Sequence, residues 1–149
     1  MDAVYLRRQL MRVLPHVGTY NYGGGAIVPA IAIGEVPDDI EVKGTEIVLP
    51  KFPYMVENVR TSNLMHSLQE WTICFYMHDM SDTGYEEFFL NVDMMFDVFD
   101  KITGMDMPAD KKFNTLPGYK FTLTTFRARK TRNPANLNDR AANYGVCLD

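Results

Sequence analysis

The sequence predicts an α+β domain: a small antiparallel or mixed sheet of four to five strands, packed by an N-terminal helix and one long central helix. Two observations carry this. In Glu70–Asp79, Trp71, Ile73, Phe75 and Met77 alternate with Thr72, Cys74, Tyr76 and His78, the period-two pattern of a strand with one face in a core. In Tyr85–Ile102 the apolar positions Phe88, Val92, Met95, Phe99 and Ile102 recur at helical spacing, with Glu86, Asp93, Asp97 and Asp100 on the other side. Thr83 with Glu86 reads as a capping box for this helix, and Gly104 as its C-terminal cap.

The other elements follow in chain order. Asp2–Leu14 reads as a helix with the stripe Ala3, Leu6, Leu10 and Val13 and with Arg7, Arg8 and Arg12 outward; Pro15 stops it. His16, at that stop, suits the negative end of the helix dipole better than a ligand role. Gly18–Gly25 reads as a loop. Its Gly23-Gly24-Gly25 run leads into a strand and lacks the Lys-Ser/Thr of a phosphate loop, so a flexible turn is preferred. Ala26–Val36 reads as one strand, with Pro29 arguing for an edge or a bulge. After a turn at Pro37-Asp38-Asp39, Ile40–Val42 and Thr45–Phe52 read as a hairpin about Lys43-Gly44, ended by Pro50 and Pro53. Polar Tyr54–Gln69 reads as a long exposed loop with an optional short helix at Leu64–Leu68, and such loops are more often interface elements than idle. His66 within it has no companion at a metal-type spacing. Met105–Gly118 reads as a second exposed loop and Tyr119–Phe126 as the last strand.

Residues 1–126 therefore read as a single globular domain. From Arg127 large apolar residues thin out while Arg129, Lys130, Arg132 and Arg140 accumulate, so 127–149 reads as a basic, extended arm: either a grip on a neighbouring subunit or a solvated terminus.

Composition narrows the function classes. The chain has 149 residues, 46% hydrophobic, enough for a core; its net charge of −4 does not mark a general nucleic-acid binder. No apolar run approaches the roughly 20 residues needed to span a bilayer, and the N-terminus carries charges where a signal peptide would be apolar. Cys74 and Cys147 do not make a disulfide scaffold and suit a reducing compartment at synthesis. Ten methionines suit core filling first and an adaptable interface second.

Catalytic motifs are thin. Asp82-Thr83-Gly84 matches the aspartic-protease triplet, but Tyr85-Glu86-Glu87 then opens a helix, and capping accounts for the same residues. His78, Asp79 and Asp82 at a strand end do not meet the ligand count of a metal site. No nucleophile elbow, Cys-x-x-Cys or dinucleotide glycine pattern occurs. The expectation is a non-enzyme without cofactor, catalytic residue or metal.

The order of helix, Pro29-Ala30-Ile31-Ala32-Ile33 strand, hairpin, Trp71-centred strand, Phe88–Ile102 helix and Tyr119–Thr125 strand resembles the tail terminator proteins of long-tailed bacteriophages, the lambda-like type among them, over roughly residues 3–126. The resemblance implies a structural ring, usually a hexamer, that caps the tail tube, stops its polymerisation and joins the neck. Its partners would be copies of itself, the tail tube protein, neck or connector proteins and, where the tail is contractile, sheath protein. DNA would pass through without sequence-specific binding, no membrane would be involved, and the location would be the virion's tail–neck junction after synthesis in host cytoplasm. Candidate subunit or tube contacts are Tyr54, Asn58, Arg60, Lys111, Lys112, Arg127, Arg129, Lys130 and Arg132. Arg7, Arg8 and Arg12 are candidates to line the lumen. The alternatives are another neck or head–tail connector protein, a small enzyme or ligand-binding domain, and a nucleic-acid adaptor using the basic tail.

Overall fold

The computed structural model describes residues 2–61, 64–106 and 116–130, with backbone alone for 56–61, 64–67 and 126–130. Helix α1, Ala3–Val13, starts where the Asp2 carboxylate accepts the Tyr5 N–H at 2.8 Å, an N-cap that satisfies one orphan donor. Of the expected stripe, Ala3, Leu6 and Leu10 are buried and Val13 is half-buried against the same core.

The segment expected to be a loop is instead half of a hairpin. Strand β1, Thr19–Tyr22, pairs antiparallel with β2, Ala26–Pro29. Gly24 and Gly25, at φ 88° and 93°, make the reversal between them, a left-handed turn that matches the twist of paired strands. The expected single strand Ala26–Val36 divides at Ala30, whose N–H still donates to the Gly18 carbonyl while its own carbonyl accepts the Ile47 N–H of the other sheet. Strand β3, Ile31–Ile33, belongs to a different sheet, where it runs parallel to β5.

The expected Lys43-Gly44 hairpin is also corrected. Strand β4, Glu41–Lys43, pairs with β1, whereas β5, Thr45–Leu49, pairs with β3 and β7. Gly44, at φ 80°, passes the chain from one sheet to the other. It crosses so close to Gly18 that a Cβ on Gly18 would lie 2.1 Å from the Lys43 carbonyl oxygen.

The described residues of the expected loop Tyr54–Gln69 are strand, and Leu64–Leu68 is part of it rather than a short helix. Strand β6, Tyr54–Thr61, folds back on β7, Leu64–Met77. Along one edge of β7, β5 pairs with its C-terminal half and β6 with its N-terminal half. Pro50 and Pro53 interrupt what is otherwise one continuous edge.

Helix α2 spans Asp82–Val98. Its N-cap is Ser81, whose Oγ accepts the Gly84 N–H at 3.2 Å, so the Thr83–Glu86 capping box is not the device used. Ser81 lies one turn ahead of that N–H, and Gly84 lets the turn close against Asp79, whose Cγ a Cβ would approach to 2.3 Å. The helix ends at Phe99, short of Ile102. Gly104 is no cap: it lies in β8, Ile102–Asp106, which pairs with β9, Gly118–Lys130. Strand β9 extends four residues past Phe126, so Arg127–Lys130 are paired sheet rather than the start of an arm.

Two helices and nine strands are thus present among the described residues, an α+β fold. A three-stranded sheet has order β2-β1-β4; the larger one has order β3-β5-β7-β9-β8, with β6 on β7. The main core lies between the larger sheet and both helices. There Phe75 meets Phe88 and Phe121 edge-on, at 6.4 and 4.9 Å between ring centroids. Tyr20, Ala30 and Ala32 form a second, smaller core with Tyr22, Val36, Ile40 and Val42 at the small sheet.

Candidate functional site

Strand length builds the most distinctive feature. β7 has 14 residues, β9 has 13 and α2 has 17. At about 3.3 Å per strand residue and 1.5 Å per helix residue, β7 is about 46 Å long and α2 about 26 Å. The ribbon outruns the helix. Its far half, β6 with the distal ends of β7 and β9, is a three-stranded arm whose register runs unbroken between β7 and β9 from Tyr76↔Gly118 to Leu64↔Lys130.

This arm gathers most of the expected contact residues. Tyr54 stands at its base, 71% exposed, beside exposed Phe52 and Met55. Asn58 and Arg60 occupy β6, and Arg127, Arg129 and Lys130 occupy β9. Lys111, Lys112 and Arg132 lie outside the described residues. Of the residues expected to line a lumen, Arg8 and Arg12 are exposed on α1, with Arg12 donating to Gln9. Arg7 is half-buried and borders a cleft of about 420 Å³ with Met11, Tyr22, Val28 and Glu35. Structure therefore separates the two arginine groups, one on α1 and one on the arm.

The hinted chemistry is not assembled. Asp82, Thr83 and Gly84 form the first turn of α2, with Asp82 exposed. Asp79 accepts the Ser81 N–H at 2.9 Å, and its hydrogen bonds from Ser81 hold its carboxyl below the usual range. Among the described residues no group of three His, Cys, Asp or Glu side chains could hold a metal. Burial pushes the Cys74 thiol up, away from the reactive thiolate.

Two buried polar junctions went unread in the sequence. Glu46, fully buried, accepts a hydrogen bond from the Tyr20 hydroxyl at 2.7 Å and meets His78 Nε2 at 2.8 Å. It ties the small sheet to the large one. Burial first, and then the Glu46 carboxylate, push the Tyr20 phenol far above its ordinary range. Asn91 of α2, also fully buried, accepts the His16 N–H at 3.0 Å and donates to the His16 carbonyl and the Thr45 hydroxyl at 2.9 and 3.1 Å. It pins the turn after α1. The signal for Glu46 was a carboxylate directly preceding the apolar run Ile47–Leu49 inside a strand. The signal for Asn91 was an amide interrupting the apolar side of α2.

These features define a class: an α+β domain whose polar interior joins its elements and whose distinguishing surface is a projecting sheet arm. No protein-family model, curated protein or solved structure matches the chain.

Proposed function

We propose that this chain is a structural, non-enzymatic ring subunit of a long-tailed phage, a tail terminator that caps the tail tube and joins it to the neck. Part of the element order supports this reading: α1, β3 after Pro29-Ala30, the Trp71-centred β7, α2 and β9 follow the order that resembles that family, while the hairpin of that order is replaced by β4 and β5 in different sheets. The observation that carries it is the arm. A three-stranded extension running past α2 is a form suited to contacts between subunits rather than to enclosing a substrate. In this reading copies of the chain close into a hexamer, the ring covers the growing end of the tube, and its other face meets neck proteins. DNA threads the lumen without base readout, and sheath protein joins where the tail contracts. The virion's tail–neck junction is the working location.

The test is the mass of the purified protein in solution, followed by electron microscopy and by addition to polymerising tail tube protein. Rings with a central hole, and tubes whose growth stops on addition, are expected. A concentration-independent monomer that leaves tube length unchanged would overturn the reading.

A further inference from the structure

The register of the arm sorts its charges. Arg60, Met65 and Arg129 form one row across β6, β7 and β9, and Asn58, Ser67 and Arg127 form the next but one. Both rows keep step with Trp71↔Leu123, whose side chains are buried under the helices, so they belong to the helix-bearing side of the sheet. The row between them, Val59 with His66 and Ala128, and the row beyond, Glu57 with Leu68 and Phe126, belong to the other side. These alternate positions put three arginines and no carboxylate on one side of the arm.

A complement exists on α2. The helix carries no Lys or Arg, and Glu86, Asp93 and Asp97 are exposed on it. Among the described residues no ion pair reaches Asp93 or Asp97. Asp97 also sits in the last turn, where the helix dipole disfavours negative charge. Asp93 and Asp97 are one turn apart, about 6 Å along the axis. Arg127 and Arg129 are about 6.7 Å apart along a strand.

We propose that the arginine rows of the arm dock on the acidic outer face of α2 in a second copy of this chain. The proposal rests on the ring reading above and names the two surfaces that would meet. A head-to-tail contact of this kind uses different patches on each copy, the type of contact from which a ring is built when its rotation closes. A second copy fits better than a nucleic acid. The whole chain is acidic, at −4, and α2 sets its carboxylates on the same side of the sheet as the arginines, where they would repel phosphate.

The experiment uses the full chain and light scattering across protein concentration at about 50 and 500 mM salt, which bracket weak and strong screening. Arm-reversed R127E/R129E and helix-reversed D93R/D97R should each raise the concentration of half-assembly by about tenfold or more, since like charges then face one another. Mixing the two variants should restore assembly, because every contact in an alternating ring again joins opposite charges. Circular dichroism and melting temperature check that each variant folds. If the variants keep the wild-type mass while rings persist, this inference falls and the ring reading stands; if wild type is a monomer throughout, both fall. Variants that melt earlier with unchanged mass would place the pairing within one copy, and loss of duplex DNA binding with unchanged mass would make the arm a nucleic-acid surface; either result overturns the proposal.

Discussion

Asn91→Ala isolates the clamp that joins three parts of the fold. The side chain is fully buried and makes three hydrogen bonds, two to the His16 backbone and one to Thr45. A neutral intramolecular hydrogen bond contributes about 1 kcal/mol net, and each buried partner left unpaired costs more, so the loss should be about 3–4 kcal/mol. For a chain of this size that corresponds to a melting temperature lower by about 6–16 °C. Urea unfolding should show a lower midpoint with an unchanged slope, since the same surface is exposed. Asn91→Asp keeps the acceptor for the His16 N–H and loses both donated bonds, so it should also destabilise. Thr45→Val should cost less, and combining it with Asn91→Ala should cost less than the sum of the two, because they share a bond. A loss below about 1 kcal/mol for Asn91→Ala would refute the idea that this amide holds the α1 turn to β5.

Tyr20→Phe removes the hydroxyl bonded to buried Glu46 and should cost about 1.5–3 kcal/mol, as for a hydrogen bond to a charged group, read by denaturant titration. The Tyr20 phenol is raised: the folded protein holds this proton more tightly than the unfolded chain does. Its contribution should be complete below about pH 10 and decline as pH rises beyond it, and ultraviolet titration should show one tyrosine that ionises only on unfolding. Phe75→Ala opens a cavity among Phe88 and Phe121 and should cost about 3–5 kcal/mol by thermal unfolding. Gly44→Ala forces a side chain into φ 80° with its Cβ 3.1 Å from the Gly18 Cα and should cost about 1 kcal/mol or more, with amide exchange loosening first in β1 and β4.

Where one residue pattern determined the outcome, the sequence was legible. The Leu6/Leu10 stripe and the Phe88/Val92/Met95 spacing bury as read, as do Trp71, Ile73, Phe75 and Met77, although Tyr76 on the opposite face is buried too. The arm was missed because Tyr54–Thr61 mixes Glu57, Asn58 and Arg60 among its apolar residues, so its sequence carries no clean alternation. Lys43-Gly44 has hairpin chemistry, yet a glycine at φ 80° serves equally to change sheets, and only the distant pairings of β1 and β7 decide between them. Thr83 reads as the cap from sequence, whereas the structure caps the helix two residues earlier at Ser81, where Gly84 packs on Asp79. The partners of Glu46 were not legible, because Tyr20 and His78 lie 26 and 32 residues away.

The β7–β9 ladder has no bulge along its whole run. A slip by one residue would exchange the two sides of everything it carries. What prevents the slip is the fit of Trp71, Ile73 and Phe121 beneath the helices. Side-chain volume at that buried end therefore dictates which residues of the distant strands share a side, and an interior substitution would re-sort positions it never touches.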